Sequence, residues 1–257
     1  MNNVEEGFSP GGLTVRAFPS DGVPLLDSFY FMYTQCQNFS CFGQVDHNIT
    51  QILIAPNFPE PNQIELGFHD VNLDDDYYFN VAHHILTDPD PRIERFDTGL
   101  DLGVGSVTRG ISTPSPVSDF VFVLLGFQLA FRGVDHFINE IGIIENDGEV
   151  TVHYADKNFD DTFLFRLRYA YVPIDLFSRL GELHGTRARS FDRRFIESGM
   201  SVIRGFHFDF KPYFTNGEDH RIKQIGVLTR DGEVEVAYAD KNDDDGFDWV
   251  VRYGILS

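Results

Sequence analysis

Asp240-Lys241-Asn242-Asp243-Asp244-Asp245-Gly246-Phe247-Asp248-Trp249 decides how the rest of the chain reads, because recognisable copies of it stand at Asp156-Lys157-Asn158-Phe159-Asp160-Asp161-Thr162-Phe163 and at Asp70-Val71-Asn72-Leu73-Asp74-Asp75-Asp76-Tyr77. Each copy follows one alternating apolar run and precedes another. The acidic segment therefore occupies the place of a tight connection between two strands.

Working outward, two more elements recur with it. Upstream lies an alternating aromatic run: Phe29, Phe31 and Tyr33; then Phe127, Leu129 and Phe131; then Phe206, Phe208 and Phe210. Period-two spacing puts these rings on one face of a strand and their neighbours on the other, so the rings are read as core. Between the aromatic run and the acidic segment sits an Asp-His pair, Asp46-His47, Asp135-His136 and Asp219-His220, followed by isoleucines at matching offsets. Asp147-Gly148 and Asp231-Gly232 then mark hairpin turns, since Gly tolerates the positive φ that a two-residue turn demands. In the first copy that turn is replaced by the proline-bearing Asn57–Gln63, a candidate contact loop. Shorter strings, Leu13–Phe18, Ser106–Ile111 and Ser201–Phe206, share an Arg and read as a further strand opening each copy.

These spacings imply an all-β chain of three tandem antiparallel β-sandwich-like repeats, arranged as a single-chain pseudo-trimer. The boundaries fall in a proline-stiffened break near 91 and again near 186, giving repeats over 1–91, 92–186 and 187–257, the first the most divergent. The apolar spacing of Val172–His184 predicts one short helix near 174–184.

Composition narrows the function. Asp and Glu number 40 against 20 Lys and Arg, a formal charge of −20, which excludes a phosphate-backbone binder and makes nucleic acid an unsuitable partner. The excess of Asp fits a high-salt setting, a cation-holding protein or simple solubility through self-repulsion. No apolar run reaches the length of a membrane span, so membrane insertion is not expected. Met1–Glu6 lacks a basic and apolar leader, so synthesis in the cytoplasm without a standard signal peptide is the expectation. Cys36 and Cys41 suit a small disulfide loop but do not fix a redox compartment.

Candidate chemistry centres on the acidic loops. Asp70/Asn72/Asp74, Asp156/Asn158/Asp160 and Asp240/Asn242/Asp244 each set alternate oxygens along a tight loop, the ligand type that Ca2+ takes. Turn chemistry accounts for the same residues without an ion, because Asp and Asn hydrogen-bond their own backbone. The three Asp-His pairs are read as turn caps rather than as a shared metal centre. No nucleophile elbow, phosphate loop or zinc-protease motif occurs, and the chain is not read as an enzyme. The expected function is a structural or interaction protein displaying three β units on an extracellular or particle surface, such as a virion, tail or fibre component. Its expected partners are other proteins of an assembly, including further copies of itself. The alternative is a calcium-assisted carbohydrate-binding module that meets surface glycans through the loops and the nearby Tyr77, Tyr78, Phe247 and Trp249.

Overall fold

The computed structural model describes residues 2–9, 13–17, 22–33, 49–56, 63–70, 76–131, 138–156, 162–187, 191–210, 222–230, 232–240 and 246–257. Cys36, Cys41, the three Asp-His pairs and nearly all of the loop over 57–63 lie outside them. Among the described residues the fold is all-β, and no helix is long and apolar enough to cross a membrane.

The chain first lays down β1 (Asn2–Ser9), β2 (Leu13–Ala17), β3 (Val23–Tyr33), β4 (Ile49–Pro56), β5 (Gln63–Asp70) and β6 (Tyr77–Leu86). It continues with β7 (Glu94–Asp97), β8 (Asp101–Val104), β9 (Val107–Gly110), β10 (Phe120–Phe131), β11 (Ile138–Asn146), β12 (Glu149–Asp156) and β13 (Thr162–Pro173). It ends with β14 (Phe177–Arg187), β15 (Phe191–Phe195), β16 (Met200–Phe210), β17 (Ile222–Arg230), β18 (Glu233–Asp240) and β19 (Phe247–Leu256). The alternating runs form strands for the reason their spacing implies. Phe29, Phe31, Tyr33, Phe127, Leu129, Phe131, Phe206, Phe208 and Phe210 are all buried.

Three antiparallel sheets result. Sheet A has the order β1-β6-β3-β17-β18-β15, and sheet C the order β14-β19-β16-β11-β12-β9. Sheet B runs β2-β5-β4-β10-β13-β7, with β8 also on β13. Some pairings are local: β3 with β6, β10 with β13 and β16 with β19, and the hairpins β4-β5, β11-β12 and β17-β18. Others join distant stretches: β10 with β4, β16 with β11, and β3 with β17. Irregularities recur at matching places, with register shifts at Leu26/Ser28, Leu124/Gly126 and Ile203/Gly205 in the long strands. A second set stands at Ile49/Gln51, Ile138/Glu140 and Ile222/Gln224.

Where the sheets face one another they share a single aromatic core. Tyr33 stacks on Phe68 at 4.5 Å, Phe131 on Tyr154 at 4.7 Å and Phe210 on Tyr238 at 4.3 Å, each time closing a strand end over the opposing hairpin. At the centre Phe29, Phe127 and Phe206 touch pairwise, with ring centroids 4.9–5.4 Å apart. Such tilted and edge contacts contribute about 0.5–1.5 kcal/mol per pair beyond area burial. They tie the three long strands to one another.

Three expectations need correction or relocation. The helix expected near 174–184 is instead a three-residue 3-10 turn, Ile174–Leu176, followed by β14. Phe177–Arg187 lies along β19 and gains a full ladder of backbone hydrogen bonds, which outweighs its helix-like apolar spacing. Position 186 accordingly falls inside β14, whereas position 91 falls in a turn between β6 and β7. Leu13–Phe18 and Ser106–Ile111 correspond to the short strands β2 and β9, but Ser201–Phe206 belongs to the long central strand β16. The hairpin turn expected at Asp147-Gly148 is present: both residues have positive φ, 49° and 85°, between β11 and β12.

Candidate functional site

On β11, Ile141 and Ile143 point into the core, so Glu140 and Gly142 fall on the opposite, outer face of sheet C. In register, Gly142 faces His153 on β12 and His207 on β16. Gly142 has no side chain to separate its neighbours, and a Cβ there would come within 2.7 Å of His207 Cα. The two imidazoles meet across it with ring centroids 4.2 Å apart. Glu140 completes the group: its Oε1 lies 3.0 Å from His153 Nδ1 and 2.8 Å from His207 Nε2. Its other oxygen is 3.4 Å from Ser106 Oγ, which also accepts a hydrogen bond from the Tyr154 amide at 3.1 Å.

All three side chains are partly buried, each about one quarter exposed (25%, 23% and 22% for Glu140, His153 and His207). Hydrogen bonds from His153 and then His207 hold the Glu140 carboxyl down at about 2, against the opposing effect of burial. Among the described residues this is the one group of His, Cys, Asp or Glu with donor atoms close enough, all within 4.8 Å, to share an ion.

The matching register positions elsewhere lack this chemistry. In sheet A they are Gln224, Ala237 and Tyr30, and in sheet B Gln51, Gly67 and Gln128. In sheet A, Tyr30 OH reaches Gln224 Oε1 at 3.2 Å, a neutral contact.

A second polar cluster lies beside sheet A, where Asp27 is the extra residue of the bulge in β3. Ser201 Oγ lies 2.6 Å from Asp27 Oδ1 and 2.8 Å from Thr229 Oγ1, and Thr229 Oγ1 also contacts the carboxylate. His84 Nε2 stands 3.7 Å from Asp27 Oδ2. Burial pushes the Asp27 carboxyl up and the His84 imidazole down, each toward its neutral form. These residues line a cavity of about 410 Å3 together with Asn80 and Arg230. The residue types suggest a Ser-His-Asp triad, but the connectivity differs. Ser201 Oγ is bonded to the carboxylate, whereas a triad places the imidazole between the two.

The acidic-loop residues divide by location. Asp156 and Asp240 end β12 and β18 opposite Ile138 and Ile222, and both are 1% exposed with partners of their own. Asp70 ends β5 opposite Ile49. Asn72, Asp74, Asn158, Asp160, Asn242 and Asp244 lie outside the described residues, and the calcium proposal for these loops rests on their ligand chemistry. Of the rings considered for sugar stacking, Tyr77, Phe247 and Trp249 are buried in the core and only Tyr78 is partly exposed. Trp249 spends its indole N–H on Asp192 Oδ2 at 3.0 Å.

Sequence reasoning missed Glu140, His153 and His207 because it followed what the copies share. The signal lay in their differences. His153 stands where the third copy has Ala237, and Glu140 where it has Gln224.

A scan against protein-family models finds no match to this chain, and a search of curated proteins finds no match either.

Proposed function

We propose that the chain is a single-chain pseudo-trimer of three related β units, residues 2–86, 94–173 and 177–256. In this reading it serves as a non-enzymatic structural or interaction protein on an extracellular or particle surface, as a virion, tail or fibre component does. The observation that carries the reading is the closed cycle of strand sharing. β10 of the second unit pairs with β4 of the first, β16 of the third with β11 of the second, and β3 of the first with β17 of the third. Each unit contributes one phenylalanine of the central Phe29–Phe127–Phe206 group, which suits an axis running between them. A body closed in this way holds its surfaces in fixed relative positions, a property suited to display and assembly.

Exposed apolar side chains offer places for partners. Phe195 at the end of edge strand β15 is 80% exposed, and Leu100, Leu102 and Val104 are exposed along and beside β8. With a net charge of −20, copies repel one another until salt screens them. Light scattering over rising protein and salt concentration tests the reading. The expected result is a mass that grows with concentration, more steeply at high salt, and less so for Phe195→Ser. A strict monomer under every condition would count against an assembling surface component.

A further inference from the structure

We infer that Glu140, His153 and His207 form a binding site for a divalent transition cation of the zinc type on the outer face of sheet C. The argument begins with donor chemistry. Two imidazole nitrogens and a carboxylate suit zinc and its neighbours in the first transition row, whereas calcium takes oxygen ligands almost alone. The site is therefore distinct in kind from the acidic loops.

Geometry agrees. An ion about 2.0–2.1 Å from each donor in a tetrahedral arrangement sets neighbouring donors roughly 3.3 Å apart. The Glu140 oxygen already lies 3.0 Å and 2.8 Å from the two imidazole nitrogens, so those two pairs need a few tenths of an ångström of spreading, and the two nitrogens, within 4.8 Å of each other, close on the ion by rotation of the rings. Binding needs each imidazole to carry its proton on the nitrogen away from the ion, and the carboxylate to turn from hydrogen-bond acceptor to ligand. Ser106 beside the second carboxylate oxygen supplies an outer partner that orients Glu140.

The backbone favours this place as well. Three adjacent strands, β12, β11 and β16, each give one ligand, so the donors are fixed by a ladder rather than by a loop. Gly142 keeps the space between the two imidazoles clear. With three protein donors and a partly exposed face, the remaining coordination position opens to solvent, as in zinc sites that take a water or an outside ligand. The acidic field of the molecule raises the local concentration of cations.

Titration of metal-stripped protein with Zn2+, and with Co2+ read by its visible absorption, tests the site. One ion per chain is expected, with the ligand-field bands of a nitrogen-containing low-coordinate site and no displacement by excess Ca2+. His153→Ala and His207→Ala are each expected to weaken binding at least about tenfold, since even outer partners of such sites are worth roughly 10–100-fold. The thermal midpoint of each ion-free variant reports folding, and Zn2+ should raise the midpoint of the parent more than that of the variants at the same concentration. Absence of binding by the parent would overturn the inference, leaving a hydrogen-bonded cluster alone. Undiminished binding by folded variants would overturn it too, because the ion would then sit elsewhere.

Discussion

His83 shows how one buried group sets a pH dependence. It lies wholly inside, its Nε2 3.0 Å from the Leu125 carbonyl oxygen of β10, so a strand of sheet A grips the bulge of a strand of sheet B. Burial lowers its pKa to about 4, with the Leu125 carbonyl opposing the shift. The unfolded imidazole takes up a proton near pH 6.5 while the folded one does not, so the contribution is fully present above about 6.5. It is lost as pH falls toward 4, and the loss amounts to about 3 kcal/mol over that window. Urea denaturation of the parent between pH 7 and 4 should show this fall, and His83→Gln, which can keep the carbonyl contact without titrating, should show less of it. The Asp27–His84 pair is present in both proteins, so the difference between them reports His83 together with its coupling to His84. Equal pH dependence in parent and variant would remove His83 as the source.

At the level of strands, the close approaches between distant segments are the sensitive points. Gly126 sits at the register shift of β10, and a Cβ there would lie 2.2 Å from the Ile54 carbonyl oxygen and 2.6 Å from Pro56 Cδ. Gly205 at the matching place in β16 is likewise tight, a Cβ there lying 2.7 Å from the Ile143 carbonyl oxygen, whereas β3 carries Ser28 at that place. Gly126→Ala should cost about 1–3 kcal/mol by forcing β10 and β4 apart, seen as a lowered thermal midpoint. Legibility in the sequence follows the same division. The aromatic strands and the Asp147-Gly148 hairpin could be read because alternation and turn chemistry are local. The β14 ladder could not, because Leu176, Leu180 and Leu183 fit a helical stripe and only the distant β19 makes the last two part of a strand. The Glu140–His153–His207 group was hidden for a related reason. It depends on β16 lying beside β11, and no short-range pattern announces that neighbour.

At the scale of the molecule, the units proposed here are covalently consecutive but structurally interleaved. Residues 92–173 made alone would keep the β10–β13 and β11–β12 pairings yet lose β4 and β16, baring two interior strand edges. Such edges seek partners. The segment should fail to yield a folded monomer, and be either unfolded or associated into trimers that rebuild the cycle with copies of itself. Circular dichroism with sedimentation would decide, and a well-folded monomer would contradict the interleaved reading. The contact between Tyr30 and Gln224 carries a last consequence, for the birth of the chain. These residues stand 194 positions apart, so sheet A cannot close until the ribosome has made β17. At roughly 5–20 residues per second, β3 waits about 10–40 s for its partner, with one edge open to chaperones or to a neighbouring nascent chain.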